Sequence, residues 1–204
     1  DFFVDMPNYD ERLEFYQSEW MPVIEEIRGG FFYELCTKTD FRQEFFDYVS
    51  RTRDYVLWFN ALLSAPDQRK FGGDVDEVPF ILYPYQVVLL YLTDHFNLAL
   101  LKSRDIGASL TFSGKDAYKL AFSAKYEGLF LSERQDKVDV VGDRTQTLMG
   151  RLRRFLESSK IINLGKFHTD KFLHLWRDSG CKVDGASMTS TTTNSTRYEE
   201  IRAD

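Results

Sequence analysis

The sequence predicts an α/β domain with a largely parallel sheet and flanking helices, preceded by an N-terminal helical region. Three observations carry this expectation. Residues 8–28 and 39–64 place apolar and aromatic residues at helical spacing within an acidic stretch. Residues 65–79 contain Pro66, Gly72, Gly73 and Pro79 and read as a linker. From residue 80 onward, short apolar strand-like runs alternate with helical ones. The expected organisation is a helical region at 1–64, a linker at 65–79 and a sheet-containing domain at 80–204.

In the first helix, Leu13, Tyr16, Trp20, Val23, Ile24 and Ile27 form the periodic set; Pro22 predicts a break or kink, and Gly29-Gly30 a stop. The second runs over 39–64, with Thr39 or Asp40 as cap and Phe41, Phe45, Tyr48, Val49, Val56, Phe59 and Leu63 as its core stripe. Beyond the linker, Tyr85–Phe96 reads as a helix behind Pro84, and Asn97–Leu101 as a short strand. Ser109–Lys125 is a helix and Gly128–Leu131 a strand. Gln135–Ser158 is a long helix that Gly142 can interrupt. Lys171–Trp176 and Cys181–Val183 are strands about a turn at Asp178-Ser179-Gly180, and the Ser/Thr-rich residues 187–196 are a loop.

Composition narrows the function classes. Hydrophobic residues make up 43% of the 204, enough for a core, yet no apolar run has the length of a membrane span. The N-terminus lacks the basic segment of a signal peptide, so a cytoplasmic protein is expected. Cys36 and Cys181 match no metal or redox spacing and read as buried or half-buried free thiols. His95, His168 and His174 have no ligand-spaced partner, which disfavours structural zinc. Charge is uneven: residues 1–80 hold 17 acidic against 8 basic side chains, residues 81–204 hold 15 against 18. The first part is therefore unsuited to nucleic acid by bulk charge, and the second suits local phosphate contacts.

The most informative stretch runs from Leu98 to Leu110. An apolar run leads into the polar turn Lys102-Ser103-Arg104-Asp105-Ile106-Gly107 and then into a helix. A phosphate loop needs this context: backbone N–H groups at a helix N-terminus point at the anion, and the helix dipole favours negative charge. Gly107 permits close backbone approach, and the Ser109 hydroxyl is placed to meet Mg²⁺. In the common pattern GxxxxGK[ST] the lysine precedes the hydroxyl residue. Ala108 stands there instead, and Lys102, at the end of the apolar run, is the cation that can reach the terminal phosphates. Gly114-Lys115 offers a second GK pair, but Asp116 follows it. It lies inside the helical pattern, so Lys115 is expected on a solvated helix face. Tyr83-Pro84-Tyr85-Gln86 supplies an amide able to donate to and accept from an adenine edge, with neighbouring aromatic rings able to stack on it.

Lys102-Ser-Arg-Asp-Ile-Gly-Ala-Ser109 resembles the deviant Walker A loop of phage large terminases, with its early lysine, an arginine two residues on and a terminal Gly-x-Ser. Tyr83-Pro84-Tyr85-Gln86 resembles their adenine-reading glutamine motif. Glu127–Lys137 resembles the strand and helix after Walker A, and Gly185-Ala-Ser187 with Ser195-Thr-Arg197 the segment before Walker B. The resemblance covers about residues 80–204. It implies an incomplete P-loop NTPase of the ASCE/RecA-like type that binds ATP and Mg²⁺. Tyr83, Gln86, Lys102, Ser103, Gly107, Ala108 and Ser109 would hold the nucleotide, with Lys102 and Arg104 at its terminal phosphates and Ser109 on the metal.

An acidic pair at the end of an apolar strand, needed for hydrolysis, is not found. Asp76-Glu77 lies in the linker and Asp178 follows a polar interruption. The family pattern puts Walker B, and beyond it the nuclease carboxylates, after Asp204, so a truncated chain is expected. The resemblance implies a motor packaging double-stranded DNA into procapsids in the host cytoplasm, as a homo-oligomeric ring docked on a portal protein and working with a small terminase subunit. The alternative is a nucleotide-binding or assembly scaffold without catalysis. A helicase-like ATPase is a third reading, disfavoured by Ala108. Arg151, Arg153, Arg154 and Arg197 are candidate DNA contacts, with solvated surface cations as the simpler expectation.

Overall fold

The computed structural model describes residues 11, 14–66, 77–101, 107–140, 142–143, 146–158, 166–170, 174–177 and 180–187. The first helix enters through a π-helical turn, Tyr16–Trp20, and continues as α1, Met21–Thr37. Pro22 closely follows the π-helical turn, so the interruption expected there takes the form of a widened turn within a continuing helix. The expected stop at Gly29-Gly30 does not occur. Each glycine costs about 1 kcal/mol against alanine in a helix, but inward contacts on either side outweigh that. Arg28 donates to the Leu63 carbonyl (3.1 Å) and to Ser64 Oγ (3.2 Å). Phe31 packs edge-on against Phe41 and Phe45, and Leu35 is fully buried.

The expected helix over 39–64 is two helices, α2 (Thr39–Thr52) and α3 (Tyr55–Leu62). Arg53 turns the chain with φ 56°, and the Asp54 carboxylate caps α3 by accepting from the Leu57 N–H at 2.8 Å. Strands β1 (Ser64–Pro66) and β2 (Glu77–Pro79) then pair antiparallel. The two described ends of the expected linker are thus joined to each other.

Helix α4 (Pro84–His95) starts on its proline as expected. The strand expected at Asn97–Leu101 does not form: these residues pair with no strand among the described residues, and Leu98, Leu100 and Leu101 lie exposed. An apolar run becomes a strand only where another strand offers its edge. Helix α5 (Ala108–Phe122) and strand β3 (Glu127–Ser132) follow. The predicted long helix is split, with Gly142 at φ 78° between α6 (Gln135–Val138) and α7 (Leu148–Ser158). Asp143 accepts from the N–H groups of Gln146 and Thr147 ahead of α7.

Strands β4 (Phe167–Asp170), β5 (His174–Arg177) and β6 (Lys182–Ser187) complete a sheet of order β3-β6-β5-β4. The β4 strand has no counterpart in the sequence reading. The β5–β6 turn does, and Gly180 (φ 89°) donates to the Arg177 carbonyl there at 3.0 Å. The β3–β6 pairing is parallel, Glu127 opposite Lys182 through Ser132 opposite Ser187, whereas β6–β5 and β5–β4 are antiparallel. The fold is mixed helix and strand, and its described sheet is mixed rather than largely parallel.

One hydrophobic cluster joins Leu35, Val49, Trp58, Phe59, Leu90, Leu120, Phe155 and Val183. Residues on both sides of 65–79 therefore share a core. Among the described residues no helix is long and apolar enough to cross a membrane.

Candidate nucleotide site

The start of α5 is built on Gly107. This residue is the N-cap and takes the left-handed conformation, φ 72°. Its carbonyl accepts from the Thr111 N–H (2.9 Å) and from Thr111 Oγ1 (3.1 Å). Two constraints demand glycine here. The positive φ strains any L side chain, and a Cβ would sit 2.8 Å from Gln86 Nε2. Gln86 is itself buried. Its side-chain Oε1 accepts from the Tyr83 N–H at 3.0 Å, and the Gln86 backbone N–H donates to the Tyr83 carbonyl at 2.9 Å. One carboxamide thus closes the first turn of α4 and abuts the glycine that opens α5.

Tyr83, the partner of Gln86, belongs to a cluster of three tyrosines. Tyr83 and Tyr85 stack at 5.6 Å with their planes 8° apart, and Tyr16 tilts against Tyr83 at 5.7 Å. Tyr16 donates to the Leu82 carbonyl (2.6 Å), and Gln17 Nε2 donates to the Tyr83 hydroxyl (3.1 Å). Burial, with Tyr83 adding to it, pushes the Tyr16 hydroxyl up to about 12, so it remains a neutral donor at physiological pH. The N-terminal region therefore contributes to the site, which the sequence reading did not foresee.

Of the residues expected to hold nucleotide, Tyr83, Gln86, Gly107, Ala108 and Ser109 are described, and Gln86 and Gly107 meet. Ala108 is buried. Ser109 is half-buried in the first turn of α5, its carbonyl accepting from Ser113 Oγ at 2.9 Å. Lys102, Ser103 and Arg104 lie outside the described residues, as do Ser195-Thr-Arg197 and Asp178. Among the described residues no group of three His, Cys, Asp or Glu side chains is arranged to hold a metal ion. For Mg²⁺ the described donor is the single Ser109 hydroxyl, which suits an ion held chiefly by phosphate oxygens and water.

Several expectations about cations are overturned. Lys115 is not solvated: it is 4% exposed. Its ammonium pairs with Asp94 (2.8 Å), donates to the Leu90 carbonyl (2.7 Å) and Thr93 Oγ1 (2.6 Å), and lies 4.9 Å from the centre of the Tyr55 ring. Tyr55 donates to the other Asp94 oxygen at 2.7 Å, and Lys119 approaches Asp94 at 3.4 Å. Burial alone would raise the Asp94 carboxyl, but hydrogen bonds from Lys115 and Tyr55 hold it below its ordinary value. Burial lowers the Lys115 ammonium against the pull of Asp94. The pattern that hid this centre is short: a lysine on a helix is usually solvated, and only the tertiary partner on α4 buries it.

The arginines of α7 are likewise engaged. Arg153 makes a two-pronged pair with Asp139 (2.7 and 2.6 Å), Arg154 pairs with Glu77 at 2.9 Å, and Arg151 is half-buried. These groups are committed to holding α7 rather than presented as a solvated basic face. Cys181 is buried and donates to the Ser123 carbonyl at 3.1 Å, whereas Cys36, expected to be at least half-buried, is exposed.

Comparison with protein-family models, with curated proteins and with solved structures returns no match.

Proposed function

We propose that this chain is an ATP-binding segment of a motor that packages double-stranded DNA, of the kind found in phage large terminases. One observation carries the reading. Gly107, predicted from the loop pattern Lys102–Ser109, opens a long buried helix in the left-handed conformation, with the predicted base-reading Gln86 pressed against it. A helix start of this kind offers free N–H groups and a positive dipole end to phosphates. Ser109 supplies a hydroxyl for Mg²⁺, and Lys102 and Arg104 supply charge at the β- and γ-phosphates. The stacked Tyr83 and Tyr85 rings offer a face for a base. The DNA, portal, small-subunit and ring-forming partners, the ASCE/RecA-like fold and the host-cytoplasmic setting all rest on the resemblance of residues 80–204.

A second reading, the scaffold without catalysis, is favoured by Gln86 itself. Its carboxamide is buried, already bonded to Tyr83 and set against Gly107, so it serves the packing of α4 on the start of α5 instead of waiting for an adenine. Titration with Mg²⁺-ATP separates the two. Under the motor reading, binding is Mg²⁺-dependent, and Lys102→Ala and Ser109→Ala each weaken it at least about tenfold, roughly 1.4 kcal/mol. Absence of nucleotide binding, or binding insensitive to both substitutions, overturns the motor assignment.

A further inference from the structure

We infer that Asp94 and Lys115 are positioning residues for the candidate nucleotide site: their ion pair fixes the register of α4 along α5 and so keeps Gln86 against Gly107. The consequence for ATP rests on the nucleotide reading, whereas the register itself does not. On α4, Gln86, Leu90 and Asp94 follow one another at intervals of four residues, and Gln86 and Leu90 are the two buried side chains of that helix. On α5, Gly107, Thr111 and Lys115 follow at the same interval, and Thr111 is fully buried. Rows of this spacing are the ridges by which helices pack. The two rows meet at both ends. A Cβ on Gly107 would lie 2.8 Å from Gln86 Nε2, and the Lys115 ammonium lies 2.8 Å from Asp94 Oδ1. On each helix the two meeting points are eight residues apart, about 12 Å along the axis. The helices therefore run side by side in the same direction and in one register.

Apolar contacts are poorly suited to set that register, because they lack direction and α4 has few of them. Val88, Tyr91 and Leu92 are exposed. The chain entering α4 is buried at Ile81 and Leu82, and the Leu82 N–H donates to Asn60 Oδ1 at 3.0 Å. These contacts fix where the helix starts but not where it points. The clasp at its other end is directional. One buried ammonium meets Asp94 Oδ1, the Leu90 carbonyl (2.7 Å) and Thr93 Oγ1 (2.6 Å), all on α4, while the Tyr55 hydroxyl donates to Asp94 Oδ2 (2.7 Å) from α3. Sliding α4 by one residue, about 1.5 Å, would break these bonds together and leave the ammonium buried without partners. A buried ion pair adds little stability over a well-packed apolar replacement, and fixing a register is its best-attested use.

Amide hydrogen exchange reads the register without nucleotide. The Thr111 N–H donates to the Gly107 carbonyl at the site end of α5, and the Ser123 N–H donates to the Lys119 carbonyl at the far end. In Lys115→Met, exchange at Thr111 should quicken at least about tenfold more than at Ser123. A loss of global stability alone quickens both by the same factor. Mg²⁺-ATP should bind this variant about tenfold more weakly than wild type. Lys119→Met, which removes an equal charge 3.4 Å from the same carboxylate, should change neither quantity. If Lys115→Met does not fold, the apolar replacement of the whole clasp, Tyr55→Phe with Asp94→Leu and Lys115→Met, takes its place with the same expectation. Equal quickening of the two amides, or none, overturns the inference, and so does undiminished ATP binding by the variant of a chain that binds ATP. A wild type that binds no nucleotide overturns the reading of the site and the link to ATP with it, and the exchange result still decides the register.

Discussion

Helices α1 and α5 are close in length, 17 and 15 residues, and opposite in construction. Only Leu35 is buried on α1, whereas ten residues of α5 are buried, among them Lys115. Their glycines show what this means. Gly29 and Gly30 on α1 face open space. Gly114 on α5 is a close-packing point: a Cβ there would lie 2.4 Å from Phe59 Cζ, and its carbonyl accepts from Trp58 Nε1 at 3.4 Å. The same residue type lowers helix stability in one place and lets two helices touch in the other. One helix is a scaffold for the candidate site; the other presents a surface.

The sharpest way to break this comparison is to open the buried charge centre of α5. Asp94→Ala leaves the Lys115 ammonium buried without its carboxylate and should cost about 3 kcal/mol of stability, read as a lower urea midpoint. Lys115→Met, which removes the buried charge and keeps the stem volume, should cost clearly less. Equal losses would mean that the pair contributes through packing alone. The glycines come next. Gly114→Ala should destabilise by about 2 kcal/mol through overpacking against Phe59, whereas Gly30→Ala should stabilise by up to about 1 kcal/mol. Thermal melts of the two variants should therefore move in opposite directions, and a shift of the same sign would refute the contrast.

The last effect is a pH slope. Burial pushes the Asp116 carboxyl up to about 6, against the hydrogen bond it accepts from the Tyr126 hydroxyl. The folded state then binds more protons than the unfolded chain between about pH 4 and 6, so this residue's contribution to stability falls as pH rises through that window. Asp116→Asn should remove that fall, flattening the pH dependence of the urea midpoint there. An unchanged slope would place the carboxylate in water.

The pieces of this fold differed in how openly the sequence announced them. The start of α4 was legible because Pro84 is suited to a first helical position and has few alternatives. Gly107 was legible because a strand-like run, a polar turn and a helical pattern converge on it. The stop at Gly29-Gly30 and the single helix over 39–64 failed for one reason: local propensity is worth about 1 kcal/mol per residue, and contacts of Phe31, Leu35 and the Asp54 cap exceed it. The strand at Asn97–Leu101 failed because apolarity is a property of the segment, while pairing is a property of its neighbours.

Although the apolar set it marked on the first helix leaves Trp20, Val23 and Ile27 exposed, the sequence by itself determined the glycine-opened start of α5, the interruption at Gly142 and the division between an acidic beginning and a mildly basic remainder. These depend on backbone stereochemistry and on charge, which act locally. Only the tertiary structure decided that Gln86 lies against Gly107, that Tyr16 joins the Tyr83–Tyr85 stack, and that Lys115, Arg153 and Arg154 are spent on internal carboxylates. A charged side chain carries the same charge exposed or buried; which partner it meets is fixed by how the elements pack.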